Sequence, residues 1–170
     1  DYTLSEAGPA GYDASDWSCL NADAVVTVNP GAQITIANGQ NVICTIINTD
    51  KPGAVSWSKV DAVNGNLLGG SEWKIVGPAP AATEVAIVDC TSAPCDGPDI
   101  DPLAGQFELE GLAWGSYTVT ETQAPPGYVG GAEFTFIVNG ANAGTVIDKG
   151  DFENEQQSGV ALPLTGGLGS

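Results

Sequence analysis

The chain contains the segment Tyr117-Thr-Val-Thr-Glu121-Thr-Gln-Ala-Pro-Pro-Gly-Tyr128. The same pattern occurs earlier as Tyr2-Thr-Leu-Ser-Glu6-Ala-Gly-Pro-Ala-Gly-Tyr12. Each copy alternates in polarity, includes a glutamate, enters a Pro/Gly turn and ends on a tyrosine. Alternation with a period of two indicates a β-strand, and Pro and Gly mark where that strand ends. A strand of this kind that recurs within one chain predicts tandem β domains.

The repeat also predicts where these domains begin and end. Each glutamate strand is followed by a strand with an asparagine, Asn48 in the first copy and Asn154 in the second. Only the second copy is preceded by further strand-like segments. We therefore expect residues 1–50 to be the C-terminal half of one domain, 51–157 a complete domain, and 158–170 a flexible linker. Half a domain leaves a sheet edge open, so the first segment should need an upstream segment or a complementing chain.

The composition predicts strands throughout. The 170 residues include 23 glycines and 11 prolines, which separate short runs rich in Val, Ile, Thr and Tyr, as is typical of an all-β protein. In the second domain we expect strands near 54–61, 72–77, 83–89, 106–110, 115–123, 133–138, 144–148 and 151–155. A short helical turn near 66–71 or 78–82 is compatible with the sequence, but no segment has the periodicity of a longer helix.

The charge balance excludes several function classes. With 21 acidic residues, 4 lysines and a net charge of −17, the chain has no basic surface for a nucleic-acid partner. It has no histidine, which argues against imidazole acid–base catalysis, a serine–histidine triad and most zinc sites. No apolar run reaches the length of a membrane span. We expect no cofactor, and no enzyme activity on an external substrate.

One acidic run has the carboxylate density of a calcium site. Asp96-Gly-Pro-Asp99-Ile-Asp101 has closely spaced carboxylates but lacks the residue pattern of a calcium-binding loop. We expect a solvated acidic turn there and no bound metal.

The four cysteines predict two structural disulfides. Three pairings are open, and Cys19–Cys44 with Cys90–Cys95 is favoured because each pair lies within one of the two segments. An acidic β protein without histidine or Cys-x-x-Cys pairs fits an oxidising exterior and thus a secreted protein.

Three polar residues fall on faces that should be buried. Lys59 shares a strand face with Trp57, Glu121 shares one with Val119, and Asn154 lies two residues after a phenylalanine. A buried lysine, carboxyl group and amide would each be costly alone. Their occurrence in one small domain predicts that they meet.

Together these groups could react. Burial favours the neutral forms, so the Lys59 amine becomes a nucleophile and the Asn154 carboxamide carbon is its electrophile. A protonated Glu121 could hydrogen-bond the amide oxygen, stabilise the oxyanion and relay protons as ammonia leaves. The product is an intramolecular Lys–Asn isopeptide bond. The alternative is a satisfied Lys59–Glu121 ion pair with Asn154 capping a turn.

These segments resemble the collagen-adhesin B-type (prealbumin-like, SpaA-type) domains of sortase-anchored pilins and adhesins of Gram-positive bacteria. The matching segments are Trp57-Ser-Lys59-Val-Asp61, Gly70-Ser-Glu-Trp73, Tyr117 to Tyr128, and Phe152-Glu-Asn154. The resemblance implies tandem Ig-like or prealbumin-like β-sandwich domains, the first incomplete, and an autocatalytic bond between Lys59 and Asn154 beside Glu121. In the first domain it implies Glu6 as the acid and Asn48 as the acceptor, with the lysine outside this sequence.

A second mark of this family lies near the end of the chain. Leu162-Pro163-Leu-Thr165-Gly166 fits a cell-wall sorting signal and follows the last expected strand. By resemblance, a sortase cleaves after Thr165 and joins the chain to an amine of peptidoglycan precursor or of another pilin subunit. The resemblance therefore implies a location at the cell wall and cell surface.

Two function classes remain open. The first is a rigid, cross-linked stalk that holds a binding domain away from the wall. The second is an adhesin module that itself binds a host protein or glycan. Trp57 and Trp73 are expected in the core, and Trp114 in a Gly-rich turn is expected to be partly exposed, so no cluster of exposed aromatic residues favours the adhesin.

Overall fold

The structure is a computed structural model that describes residues 1–21, 24–28, 30–80 and 82–159. These residues contain fifteen β-strands, β1 to β15, and no helix. The all-β prediction is therefore confirmed. Residues 66–71 form no helical turn, and neither do the described residues of 78–82.

Residues 1–50 form three small antiparallel sheets. The strands are β1 (Tyr2–Thr3), β2 (Tyr12–Ala14), β3 (Trp17–Asn21), β4 (Ala24–Val28), β5 (Gln33–Ile34), β6 (Val42–Thr45) and β7 (Asn48–Asp50). Their sheet orders are β1-β5, β2-β7 and β4-β3-β6. The alternating segment that begins at Tyr2 forms only a two-residue strand, which pairs with β5.

Residues 53–156 form two four-stranded sheets. The strands are β8 (Gly53–Asp61), β9 (Glu72–Gly77), β10 (Thr83–Val88), β11 (Gln106–Leu112), β12 (Gly115–Gln123), β13 (Tyr128–Val129), β14 (Glu133–Val138) and β15 (Val146–Gln156). One sheet has the order β10-β9-β12-β14 and the other β11-β8-β15-β13. The pairing of β8 with β15, the first and last strands, is parallel, and the other pairings are antiparallel.

The last strand differs from its prediction. Two strands were expected at 144–148 and 151–155, whereas β15 is a single strand whose register shifts between Asp148 and Asp151. Gly150 lies in this irregularity with a φ of 73°, a conformation that favours glycine. The gap between the two expected strands is therefore a bulge within one strand.

The core of the second unit lies between its two sheets. Trp57 stacks on Phe107 at 4.9 Å between ring centroids and meets Trp73 and Phe134 of the opposite sheet edge-on, at 5.5 Å each. These aromatic rings are nearly fully buried, which contributes on the order of 2–3 kcal/mol for each large side chain. The prediction that Trp57 and Trp73 belong to the core is confirmed.

Residues 1–50 have very little core of their own. Among the described side chains of this segment, Cys19 and Val28 are the buried apolar ones, whereas Ile43 and Ile47 are 62% and 65% exposed. The Cys19–Cys44 disulfide joins β3 to β6 across directly paired positions. The division into a half-domain and a complete domain stays a prediction.

The second disulfide closes a short loop after β10. Cys90 and Cys95 are bonded, with five residues of sequence separation, so both favoured pairings occur in the structure. Asp99, just beyond this loop, is completely buried and accepts hydrogen bonds from the N–H groups of Cys90, Asp101 and Glu108. The expectation of a solvated acidic turn is therefore wrong for Asp99, because its carboxylate organises the loop from inside.

Candidate functional site

The three predicted polar residues come from both sheets. Lys59 is near the end of β8 and Asn154 near the end of β15, and the parallel register places Lys59 opposite Phe152. Glu121 lies near the end of β12 in the facing sheet. Since two of these strands are neighbours and the third faces them, the three side chains converge at one end of the sandwich.

Their distances define a compact buried site. The Lys59 Nζ atom lies 3.4 Å from Glu121 Oε2, and Asn154 Nδ2 donates a hydrogen bond of 3.0 Å to Glu121 Oε1. Lys59 is 0% exposed, Asn154 2% and Glu121 8%. The glutamate therefore lies between the amine and the amide.

The environment weakens the positive charge of the lysine. Burial lowers the pKa of the Lys59 amine below its ordinary value of 10.5, while the Glu121 carboxylate raises it. The amine also lies 5.7 Å from the centre of the Trp73 ring. It makes no well-directed hydrogen bond. A lysine in this setting has a larger neutral, nucleophilic fraction than one in water.

The contact between Glu121 and the amide differs from the expected one. We expected the carboxyl group to face the amide oxygen, but Glu121 accepts from the amide nitrogen, and Asn154 Oδ1 is buried without a hydrogen-bond partner. The second carboxylate oxygen, Oε2, also accepts from the N–H of Ala132 at 3.2 Å. In this arrangement Glu121 is placed to deliver a proton to the nitrogen that would leave as ammonia.

A neighbouring network was not recognised from the sequence. Asp61 is 2% exposed and accepts hydrogen bonds from Tyr128 Oη at 2.8 Å, Gln156 Nε2 at 3.3 Å and the N–H of Val63 at 2.7 Å. It follows Lys59 by two residues on the same strand face, and Tyr128 closes the repeated motif. These two features of the sequence could have suggested that Asp61 and Tyr128 interact.

Residues 1–50 contain a second glutamate–asparagine pair. Asn48 Nδ2 donates to Glu6 Oε1 at 2.6 Å, the same contact that Asn154 makes with Glu121. The strand register is also repeated, since Tyr12 pairs with Asp50 two residues after Asn48. Unlike the second site, this one is exposed, and it borders a cleft of about 170 Å³ that Trp17 also lines.

Profile comparison identifies the family of this chain. The SpaA profile, described as a prealbumin-like fold domain, matches residues 53–151, more than half of the chain. The SpaA_2 profile, also a prealbumin-like fold domain, matches residues 1–46. This chain belongs to the SpaA prealbumin-like fold family.

Several solved structures are similar to this SpaA-family chain. BcpA, the major pilin subunit of Bacillus cereus, is 27% identical and covers 63% of the chain with a TM-score of 0.46. The Bacillus anthracis TIE protein is 20% identical over 91% of the chain with a TM-score of 0.49. SpaD, the major pilin of Corynebacterium diphtheriae, is 22% identical over 62% of the chain with a TM-score of 0.45.

The chain is shorter than these similar proteins. It spans 29% of the BcpA chain, 33% of the TIE protein and 30% of SpaD. No curated protein matches it significantly.

The remaining predicted residues have different outcomes. The sorting-signal residues Leu162, Pro163, Thr165 and Gly166 lie outside the described residues. Trp114 is half-buried, and its Nε1 donates to the carbonyl of Lys51 at 2.9 Å. In the part of the chain that the structure describes, no helix is long and apolar enough to cross a membrane.

Proposed function

We propose that this SpaA-family chain is part of a pilin or surface-protein stalk of a Gram-positive bacterium. In this proposal, residues 51–157 are a complete domain, which Lys59 and Asn154 close covalently through an isopeptide bond that the chain forms itself. Residues 1–50 are the C-terminal half of a second such domain. The observation that carries the proposal is the buried contact of Glu121 with both the lysine amine and the asparagine amide.

The proposed reaction is an intramolecular transamidation. A proton passes from the Lys59 ammonium to Glu121, which leaves a neutral amine and a neutral acid. Burial lowers the pKa of the amine and so favours loss of this proton. The Nζ lone pair then attacks Asn154 Cγ, and the Cγ–Nδ2 bond breaks. Glu121 returns its proton to Nδ2 and accepts one from Nζ, so that ammonia leaves and an Nζ–Cγ amide remains. The chain thereby becomes lighter by one ammonia, without any cofactor or oxidant.

The position of the bond suits a stalk under tension. Lys59 and Asn154 lie on the first and last strands of the second unit, which are adjacent and parallel. A pull on the two ends would pass along β8, across the new bond and out through β15. The residues enclosed between them would carry no load, so the domain could not be unravelled.

We propose a related reaction for the exposed Glu6–Asn48 pair in residues 1–50. Glu6 and Asn48 repeat the acid–acceptor contact, and Glu6 is absent from the ion pairs of the described residues. We propose that a strand from outside this sequence supplies the lysine and covers the cleft. If so, a peptide that carries this strand should become covalently attached at Asn48.

The motif at residues 162–166 is the proposed site of covalent attachment. A sortase would cleave after Thr165 and join the chain to peptidoglycan precursor or to another pilin subunit. The proposed location is therefore the bacterial cell surface.

Intact mass spectrometry tests the central proposal. The unmutated chain should be lighter by one ammonia, beyond the loss of hydrogens at its two disulfides. Tandem mass spectrometry after digestion should find a peptide from the Lys59 strand joined to one from the Asn154 strand. Glu121→Gln should fold but keep the full mass, because the isosteric amide cannot relay the proton. An unmutated chain that retains both side chains unmodified would refute the proposal.

A further inference from the structure

The segment 128–132 contacts both Asn154 and Glu121. Gly130 packs against the side chain of Asn154, and Ala132 donates its N–H to Glu121 Oε2 at 3.2 Å. The carbonyl of Ala132 also accepts the N–H of Glu121 at 2.8 Å. One five-residue segment, 128–132, therefore reaches the acceptor amide and the carboxylate at once.

At Gly130 the contact leaves no room for a side chain. A Cβ atom there would overlap Asn154 Oδ1 and lie 2.5 Å from its Cγ. The backbone of Asn154 is fixed independently, because its carbonyl accepts the N–H of Ala62 at 3.0 Å. A larger residue at position 130 would therefore displace the carboxamide rather than the strand. Gly130 itself is exposed, so it also separates the buried amide from solvent.

The start of the same segment is held by the Asp61 network. Tyr128 and Val129 pair with β15 opposite Gln156 and Glu155, and the Tyr128 hydroxyl donates to the buried Asp61 carboxylate. Hydrogen bonds from the N–H of Val63 and from Tyr128 lower the pKa of Asp61, so this acceptor stays ionised at neutral pH. The network thus ties segment 128–132 to the strand that carries the reacting lysine.

We propose that segment 128–132 positions the acceptor for isopeptide formation: Gly130 sets the orientation of the Asn154 carboxamide, and the Tyr128–Asp61 hydrogen bond holds the segment in place. These are positioning residues, since none of them exchanges a bond in the reaction. The inference rests on the isopeptide bond proposed above and adds the residues on which its rate depends. A displacement of about 1 Å at a reacting centre can cost on the order of 100-fold in rate.

Two adjacent glycines offer a matched test. A Cβ at Gly131 would meet no atom within 4 Å, and neither Gly130 nor Gly131 has a positive φ that favours glycine. Gly130→Ala should slow ammonia loss by at least about tenfold, whereas Gly131→Ala should react like the unmutated chain. The assay is rapid cell-free synthesis of the full chain, with intact mass measured over time.

Two tyrosines of the same motif offer a second test variant with a matched control. Tyr117 also donates its hydroxyl, to the carbonyl of Ala113 at 2.7 Å, but away from the reacting groups. Tyr128→Phe should slow ammonia loss, and Tyr117→Phe should not. Asp61→Ala should act like Tyr128→Phe, while Asp61→Asn, which keeps an acceptor oxygen, should restore much of the rate.

Stability must be separated from rate in these variants. In a Glu121→Gln background no bond forms, so urea unfolding there reports only the effect of each substitution on the fold. We expect Gly130→Ala and Gly131→Ala to have similar midpoints in that background despite different reaction rates. The positioning role would be overturned if Gly130→Ala lost ammonia as fast as Gly131→Ala and Tyr128→Phe as fast as Tyr117→Phe. That result would not contradict the isopeptide bond itself. An unmutated chain that loses no ammonia would instead overturn the bond, and this inference with it.

Discussion

Replacement of Asn154 by alanine should greatly lower the thermal stability of residues 51–157. The proposed bond closes a loop of roughly 100 residues between Lys59 and Asn154, and chain-entropy arguments assign such a cross-link about 5 kcal/mol. For a domain of this size, we expect a melting temperature lower by on the order of 20 °C.

A double-mutant cycle distinguishes the covalent contribution from ordinary contacts. Asn154→Ala should cost much less in a Glu121→Gln background, because the bond is already absent there and only side-chain contacts remain to be lost. Differential scanning calorimetry and urea unfolding of the full chain would measure both costs, and intact mass would report the linked fraction of each sample.

One outcome would refute the reasoning directly. If Asn154→Ala lowers stability by the same amount in both backgrounds, the bond adds nothing, and the site is the buried ion pair that the sequence left open. Reductant provides a further control. It should open both disulfides yet leave the difference between the linked and unlinked chains unchanged.

Three other properties can be tested separately. Burial raises the pKa of Asp89 and Asp99 above the ordinary 3.8, so between pH 3.8 and the raised pKa these two groups bind more protons in the native state than in the unfolded state. The free energy of unfolding should therefore fall as pH rises through that window. Urea titrations should show a flatter fall for Asp99→Asn, and an unchanged slope would contradict the assignment. Thr165→Ala should leave thermal unfolding unchanged and abolish wall attachment in sortase-positive cells, and normal attachment would remove the sorting role. Trp114 lies 5.0 Å from the ring of Tyr12, which belongs to residues 1–50. Trp114→Ala should therefore increase the radius of gyration in small-angle scattering, because loss of this contact lets the two units move apart, and an identical profile would contradict that role.

The sequence alone determined the class of fold and singled out the three polar side chains that meet inside the second unit. Alternation along a strand places a side chain on a known face, so Lys59, Glu121 and Asn154 could be predicted to point inward from their apolar neighbours. The repeat likewise indicated that Glu6 and Asn48 correspond to the second pair. Such inferences succeed because strand periodicity is a local property of the backbone and needs no knowledge of the partner strand.

Strand order and detailed contacts were decided by the tertiary structure. The sequence could not show that β8 and β15 are neighbours or that Gly150 forms a bulge within one strand, because pairing depends on residues distant in the chain. Nor could it show which amide atom faces Glu121, or that a glycine at position 130 leaves space for the Asn154 carboxamide. These features depend on the approach of separate strands within an ångström or two, and side-chain periodicity alone carries no information about such distances.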